Sequence, residues 1–200
     1  MKIAIIDYGA GNTKSVYYAF KNIGILPIIT KDKMEIKKAQ GVVFPGVGHA
    51  VNAMKYLKLA GLDKIIPELS QPVLGICLGM QLQAQFTEEG NQKGLGIIPV
   101  DVARFNEELK VPQMGWNLIK CNNNTLFEGL TEEPFYAYFV HSYYMPLNNS
   151  TIATAEYGVE FSAASQINNF YGCQFHPEKS GEQGLTILKN FIKICESYQQ

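Results

Sequence analysis

Three short runs with no polar face limit what this chain can fold into. They are Ile3-Ala4-Ile5-Ile6, Val42-Val43-Phe44 and Val73-Leu74-Gly75-Ile76. A strand with one wet face alternates apolar and polar residues. An unbroken apolar run of this length is a strand buried on both faces, as in a parallel sheet covered by helices. Helical segments separate these runs. Asn12 or Thr13 can cap a helix reaching to about residue 23, with Gly24 just beyond its end. Residues 32–39 suggest a short helix, and 49–60 a longer one closed by Gly61. Residues 80–86 suggest another short helix. A further strand over 25–30 contains Pro27 and is expected at a sheet edge, because proline cannot donate to a ladder. The turn Tyr8-Gly9-Ala10-Gly11-Asn12 follows the first strand.

After Gly94 the texture changes. Residues 118–119, 135–145, 151–156 and 161–175 are β-rich with short polar turns, which indicates antiparallel pairing. Residues 181–198 place Leu185, Leu188, Phe191, Ile192, Cys195 and Tyr198 on one helical face. The expectation is an α/β fold: one domain over 1–200, with an open, mixed, mainly parallel sheet flanked by helices and antiparallel additions in the C-terminal half.

Composition removes several classes of function. The chain has 17 basic and 18 acidic residues, and Arg104 is its one arginine. That balance disfavours a phosphate-neutralising face, so neither nucleic acid nor membrane is expected as a partner. No apolar run is long enough for a signal or a span, and a cytoplasmic location is expected. Cysteines stand at 77, 121, 173 and 195, with no C-x-x-C pair, so neither a zinc site nor a disulfide framework is indicated. Gly9-Ala10-Gly11 lacks the third glycine of a dinucleotide loop, since Lys14 occupies that position.

Gly75-Ile76-Cys77-Leu78-Gly79 lies between a buried strand and a helix. It has the form of a nucleophile elbow, a tight turn that presents its central side chain at the carboxyl end of a sheet. The following helix start favours a thiolate, and the Leu78 N–H points where an oxyanion would develop. A small buried cysteine ending a strand is an equal alternative on this motif alone. Of the three histidines, His176 ends the strand 171–175 and is followed by Pro177-Glu178. Pro177 disfavours helix at His176, and in extended chain residues i and i+2 face the same way. Glu178 can therefore hold one imidazole nitrogen while the other faces a thiol, although a strand-end histidine beside a solvated glutamate fits equally well. Phe44-Pro45-Gly46-Val47-Gly48 is an ordinary β-to-α turn, or one whose backbone N–H groups can turn toward a substrate oxygen.

In combination, Pro45-Gly46-Val47-Gly48, Gly75-Ile76-Cys77-Leu78-Gly79-Met80-Gln81 and Phe175-His176-Pro177-Glu178 resemble the class I (triad) glutamine amidotransferases over essentially the whole chain. Three further segments are similar to the glutaminase subunits of imidazole glycerol phosphate synthases, of histidine biosynthesis. They are Ile5-Ile6-Asp7-Tyr8-Gly9-Ala10-Gly11-Asn12, Pro112-Gln113-Met114-Gly115-Trp116-Asn117 and Gln174 to Ser180. The resemblance implies Cys77 as nucleophile, His176 as base and acid, and Glu178 as its orienter. It implies Leu78 and, after a loop rearrangement, Val47 as oxyanion donors. Gly48, Gln81, Ser142 and Tyr143 become glutamine contacts.

The same resemblance implies no cofactor and no metal. It implies a heterodimer in which ammonia passes to a (β/α)8 cyclase subunit, docked over Asn12, Met114, Trp116 and Lys179. Trp116 as a core aromatic is the competing reading. A different ammonia acceptor in a sugar-amidation system, or a non-catalytic module on this fold, also remains open.

Overall fold

Backbone pairing in the computed structural model, which describes residues 1–130 and 133–198, builds two sheets. The first half alternates strictly. It runs β1 (Ile3–Ile6), α1 (Thr13–Asn22), β2 (Ile28–Thr30), α2 (Lys33–Lys38), β3 (Gly41–Gly46), α3 (Ala50–Ala60) and β4 (Val73–Cys77). A single turn, α4 (Leu78–Gln81), follows, then β5 (Ala84–Thr87), β6 (Gln92–Lys93) and β7 (Ile98–Arg104). The second half adds β8 (Gln113–Cys121), β9 (Phe135–His141), β10 (Tyr143–Tyr144), β11 (Thr151–Glu156), β12 (Glu160–Ile167), β13 (Phe170–Cys173) and α5 (Gly181–Ser197).

The larger sheet has the order β2-β1-β3-β4-β13-β12-β11-β8-β9. Its first five members run parallel, and β12, β11, β8 and β9 continue it antiparallel. The sheet is mixed, as expected, but its pairings divide equally, four parallel and four antiparallel, because the antiparallel additions of the C-terminal half are as extensive as the parallel part. The unbroken apolar runs are explained by two cores, one on each face. Ile3, Ile5, Val43 and Leu74 pack with Val16 and Phe20 of α1 and Phe191 of α5. Ala4, Ile6, Val42 and Val73 pack on the opposite face with Ile36 of α2 and Met54 and Leu57 of α3. Each such side chain taken fully out of water contributes about 1.5–3 kcal/mol, so both faces must be covered.

Local signals hold where a cap is present. Asn12 Oδ1 accepts from the Ser15 N–H, and Asp32 Oδ1 accepts from the Met34 and Glu35 N–H groups. Gly61 closes α3 in the left-handed conformation. Pro27 lies just outside β2, which is indeed an edge strand.

One expectation is corrected. Residues 80–86 do not form one helix: Met80 and Gln81 end α4, and the rest is not helical. The chain leaves α4 at Leu82, and Ala84–Thr87 joins a second sheet of order β10-β7-β5-β6. Long-range pairing outweighs local propensity there. The Leu95 N–H donates to Leu82 O at 2.8 Å, and both the Ile97 and Ile98 N–H groups donate to Gln83 O at 2.9 Å. The β-rich segment 135–145 is likewise two strands in different sheets, divided at Ser142. Segment 161–175 is a hairpin of β12 and β13. Among the described residues no helix is long and apolar enough to cross a membrane.

Candidate active site

The parallel strands β3, β4 and β13 lie side by side, and their carboxyl ends bring the sequence-predicted residues together. Gly46 pairs with Cys77, and Cys173 pairs with Ile76. This adjacency is why Gln174 and Cys77, 97 residues apart, come within reach of each other.

Cys77 stands at the turn from β4 into α4 with φ 53° and ψ −112°, a region that non-glycine residues rarely occupy. Neighbouring chain fixes this bend. A Cβ on Gly79 would lie 1.8 Å from Phe44 O, so β3 can approach only where residue 79 is glycine. Cys77 is 7% exposed, yet it is not sealed in. It opens on a cavity of about 260 Å³ lined by Val47, Gly48, Leu78, Gln81, Glu89, Pro112, Val140, His141, Ser142, Tyr143 and His176. Cysteines 121, 173 and 195 lie elsewhere. Burial pushes the Cys121 and Cys195 thiols up to about 12 and raises Cys173 as well, which keeps them protonated and inert.

His176 and Glu178 meet at 2.8 Å, between Nδ1 and Oε1, with the carboxylate 1% exposed. The expected route to this contact is corrected. Glu178 does not reach the ring through extended alternation. Residues Pro177–Lys179 form one 3-10 turn, closed by the Lys179 N–H donating to His176 O at 2.9 Å. His176 and Cys77 line the same cavity, where Cys77 Sγ stands 3.6 Å from Val140 O, to which it can donate. Burial opposes a charge on this ring, but hydrogen bonds and charge from Cys77 and Glu178 outweigh it and push the imidazole up to about 10. A ring of raised pKa is a stronger acceptor for the thiol proton.

Val47, Gly48, Leu78, Gln81, Ser142 and Tyr143 all border the cavity. Leu78 opens α4, where an N–H has no intrahelical acceptor. Gly48 has φ +90°, and Val47 is exposed. Gln81 Nε2 donates to Tyr143 O at 2.8 Å and to Gln174 Oε1 at 2.9 Å. Glu89, which the sequence did not single out, caps α3 beside the 46–48 loop by accepting from the Ala50 N–H at 2.7 Å.

Of the four residues expected at a partner interface, Trp116 and Lys179 gather around Tyr138, and Met114 lies on the same strand as Trp116. Met114 and Trp116 are 66% and 56% exposed on β8, which excludes the core-aromatic reading of Trp116. The Trp116 ring lies 6.2 Å from Tyr138, and Lys179 Nζ sits 5.8 Å over the same tyrosine. Asn12 is half-buried and already engaged as the α1 cap. Tyr138 was missed, although it pins this region. Its carbonyl accepts from the His176 N–H at 2.9 Å and its N–H donates to Ser180 Oγ at 3.0 Å. The aromatic run in β9 was its only sequence signal. No group of three or more His, Cys, Asp or Glu among the described residues is arranged to hold a metal ion.

A family model described as glutamine amidotransferase class-I matches residues 4–195. The chain is a class I glutamine amidotransferase. It is 54% identical over 197 residues to the imidazole glycerol phosphate synthase subunit HisH of Bacteroides fragilis strain YCH46, covering 97% of this chain and 100% of that one. It is 46% identical to the HisH subunit of Haemophilus influenzae strain Rd, covering 96% and 98%. At these identities the amidotransferase belongs with the HisH subunits. The fold is also found in the solved structure of PurLQS from Thermotoga maritima, at 19% identity with a TM-score of 0.71 over 96% of this chain and 97% of the other.

Proposed function

We propose that this amidotransferase hydrolyses glutamine to glutamate and ammonia through a thioester on Cys77, as one domain working with a partner that consumes the ammonia. The single observation that carries the reading is one cavity lined both by the strained Cys77 and by His176, whose imidazole is held at 2.8 Å by a buried carboxylate.

His176 takes the thiol proton, and Cys77 Sγ attacks the side-chain carbonyl carbon of glutamine. Negative charge develops on the carbonyl oxygen, where the Leu78 and Val47 N–H groups receive it. Glycine on both sides of Val47 lets that peptide turn, so the loop can withhold its donor until a partner binds. The tetrahedral species collapses, the C–N bond breaks, and His176 returns the proton to the leaving nitrogen. Ammonia departs. Water, deprotonated by His176, then attacks the thioester, and glutamate leaves as Sγ recovers its proton. Glu178 keeps Nδ1–H donating to it throughout, so the other nitrogen is always the one facing sulfur. Gly48, Gln81, Ser142 and Tyr143 hold the glutamine.

Ammonia released to bulk water would be protonated, so delivery needs a docked acceptor. A (β/α)8 cyclase subunit, forming imidazole glycerol phosphate in histidine biosynthesis, is the partner this reading assigns. The exposed Met114 and Trp116 beside Lys179 support it, because interface centres favour Trp and Met over Lys and Glu. The test is glutamate release by the wild-type chain and by Cys77→Ser, each with and without the cyclase subunit. Release that requires Cys77 and rises with the subunit supports the proposal. Equal release by Cys77→Ser rejects it.

A further inference from the structure

A buried hydrogen-bonded chain runs under the cavity, and the reaction above gives no role to three of its members, Gln113, His141 and Gln174. Gln113 opens β8 and pairs in register with His141, the last residue of β9. Its side-chain Oε1 stands 2.7 Å from His141 Nε2. His141 Nδ1 stands 2.8 Å from Tyr143 O. That carbonyl also accepts from Gln81, whose amide continues to Gln174 and so toward Cys77 Sγ, 3.8 Å from Gln174 Nε2. Gln81, Gln113, His141 and Gln174 are all buried.

The protonation of His141 follows from its partners. A carbonyl oxygen carries no hydrogen, so Nδ1 must donate to it. Burial holds the ring down to about 4, leaving it neutral and Nε2 bare at physiological pH. Oε1 cannot donate to a bare Nε2, so the amide is assigned with its two ends exchanged, its N–H2 donating to Nε2. Both nitrogens are then occupied, and His141 is not free to move a proton.

Its surroundings make a packing role insufficient. Phe105, Phe139 and Phe161 surround the ring with centroids 5.1, 5.5 and 5.2 Å away. An apolar ring would fill that cage without desolvating two polar nitrogens. What histidine adds is a hydrogen bond to the backbone of a cavity-lining residue.

We propose that His141 and Gln113 are positioning residues that fix the Ser142–Tyr143 backbone against the bound substrate and tie it to the surface strand carrying Met114 and Trp116. This inference rests on the reading of the cavity as a glutamine site. Gln113 is followed directly by the exposed Met114, so a partner that shifts β8 shifts the substrate floor through one buried amide.

The test uses the chloromethyl ketone analogue of glutamine as an affinity label for Cys77, with iodoacetamide as a label that needs no substrate pocket. His141→Phe fills the cage and removes both hydrogen bonds. Gln113→Met keeps the shape of the amide and removes its donor. The expected result is a KI for the analogue raised about tenfold in His141→Phe and by a smaller factor in Gln113→Met. The maximal labelling rate and the iodoacetamide rate stay near wild type. His141→Asn, whose amide can donate from near the Nδ1 position, restores much of the affinity. An unchanged KI in folded variants overturns the proposal, as does a lower maximal rate at unchanged KI. If His141→Phe does not fold, Gln113→Met decides. A wild-type thiol that the analogue fails to label overturns the glutamine reading itself, and this inference with it.

Discussion

Replacing Cys77 by alanine and by glycine separates the strain of the elbow from the chemistry of its sulfur. At φ 53° and ψ −112° a residue with a Cβ is held in a sparsely populated region. Such a conformation costs about 1–3 kcal/mol, and glycine does not incur it. Both variants lose the same buried sulfur, so that loss cancels between them. At an ordinary position glycine is less stable than alanine by about 0.5–1 kcal/mol, because its unfolded chain is freer. Setting the middle of the first range against the second leaves Cys77→Gly more stable than Cys77→Ala by about 1 kcal/mol. For a chain of this size that is a midpoint difference of about 2–4 °C. Thermal and urea unfolding of the two proteins side by side measure it, and neither variant should release glutamate. If Cys77→Gly is the less stable by the usual margin, the thiol is not held by backbone strain and the elbow argument is wrong.

Three other outcomes follow from the same geometry. Glu178→Gln removes a charge that holds the His176 imidazole up, so the alkaline limb of the glutaminase pH profile moves toward neutral by about 1–3 units and kcat falls about a hundredfold or more. An unmoved limb argues against the carboxylate's role. His141 is neutral in both states above about 6.5; as pH falls from there to about 4 the unfolded chain takes up a proton that the folded ring refuses, and stability drops by about 3 kcal/mol in all. Urea unfolding across that window should show the loss in wild type and its absence in His141→Phe. Trp116→Ala should change stability by no more than about 0.5 kcal/mol, since the ring is exposed, yet weaken binding of a cyclase subunit by about 2 kcal/mol or more in titration calorimetry. Unchanged binding removes the indole from the interface.

The doubly covered strands were legible because burial on both faces leaves no polar position to disguise the run; β1, β3 and β4 are buried throughout. The helix ends were legible through Asn12, Asp32 and Gly61, whose chemistry acts within a few residues. Residues 80–86 were not, because Ala84 and Phe86 are held by β7 rather than by their neighbours. The meeting of Cys77 with His176 depends on β13 inserting beside β4, which no spacing encodes. Gln113 and Gln174 carry no legible role in the sequence for a related reason. A glutamine in a strand has no chemical signature until the fold supplies its partners, here His141 and Cys77.

The most direct measurement is an acid quench of the chain during turnover with glutamine and its cyclase subunit, followed by peptide mass analysis. One glutamyl group should appear on the peptide carrying Cys77, in an amount that rises when Glu178 is replaced by a residue that slows thioester hydrolysis more than its formation. A chain that turns over glutamine while Cys77 stays unmodified, or that carries the group on Cys121, Cys173 or Cys195, contradicts the account.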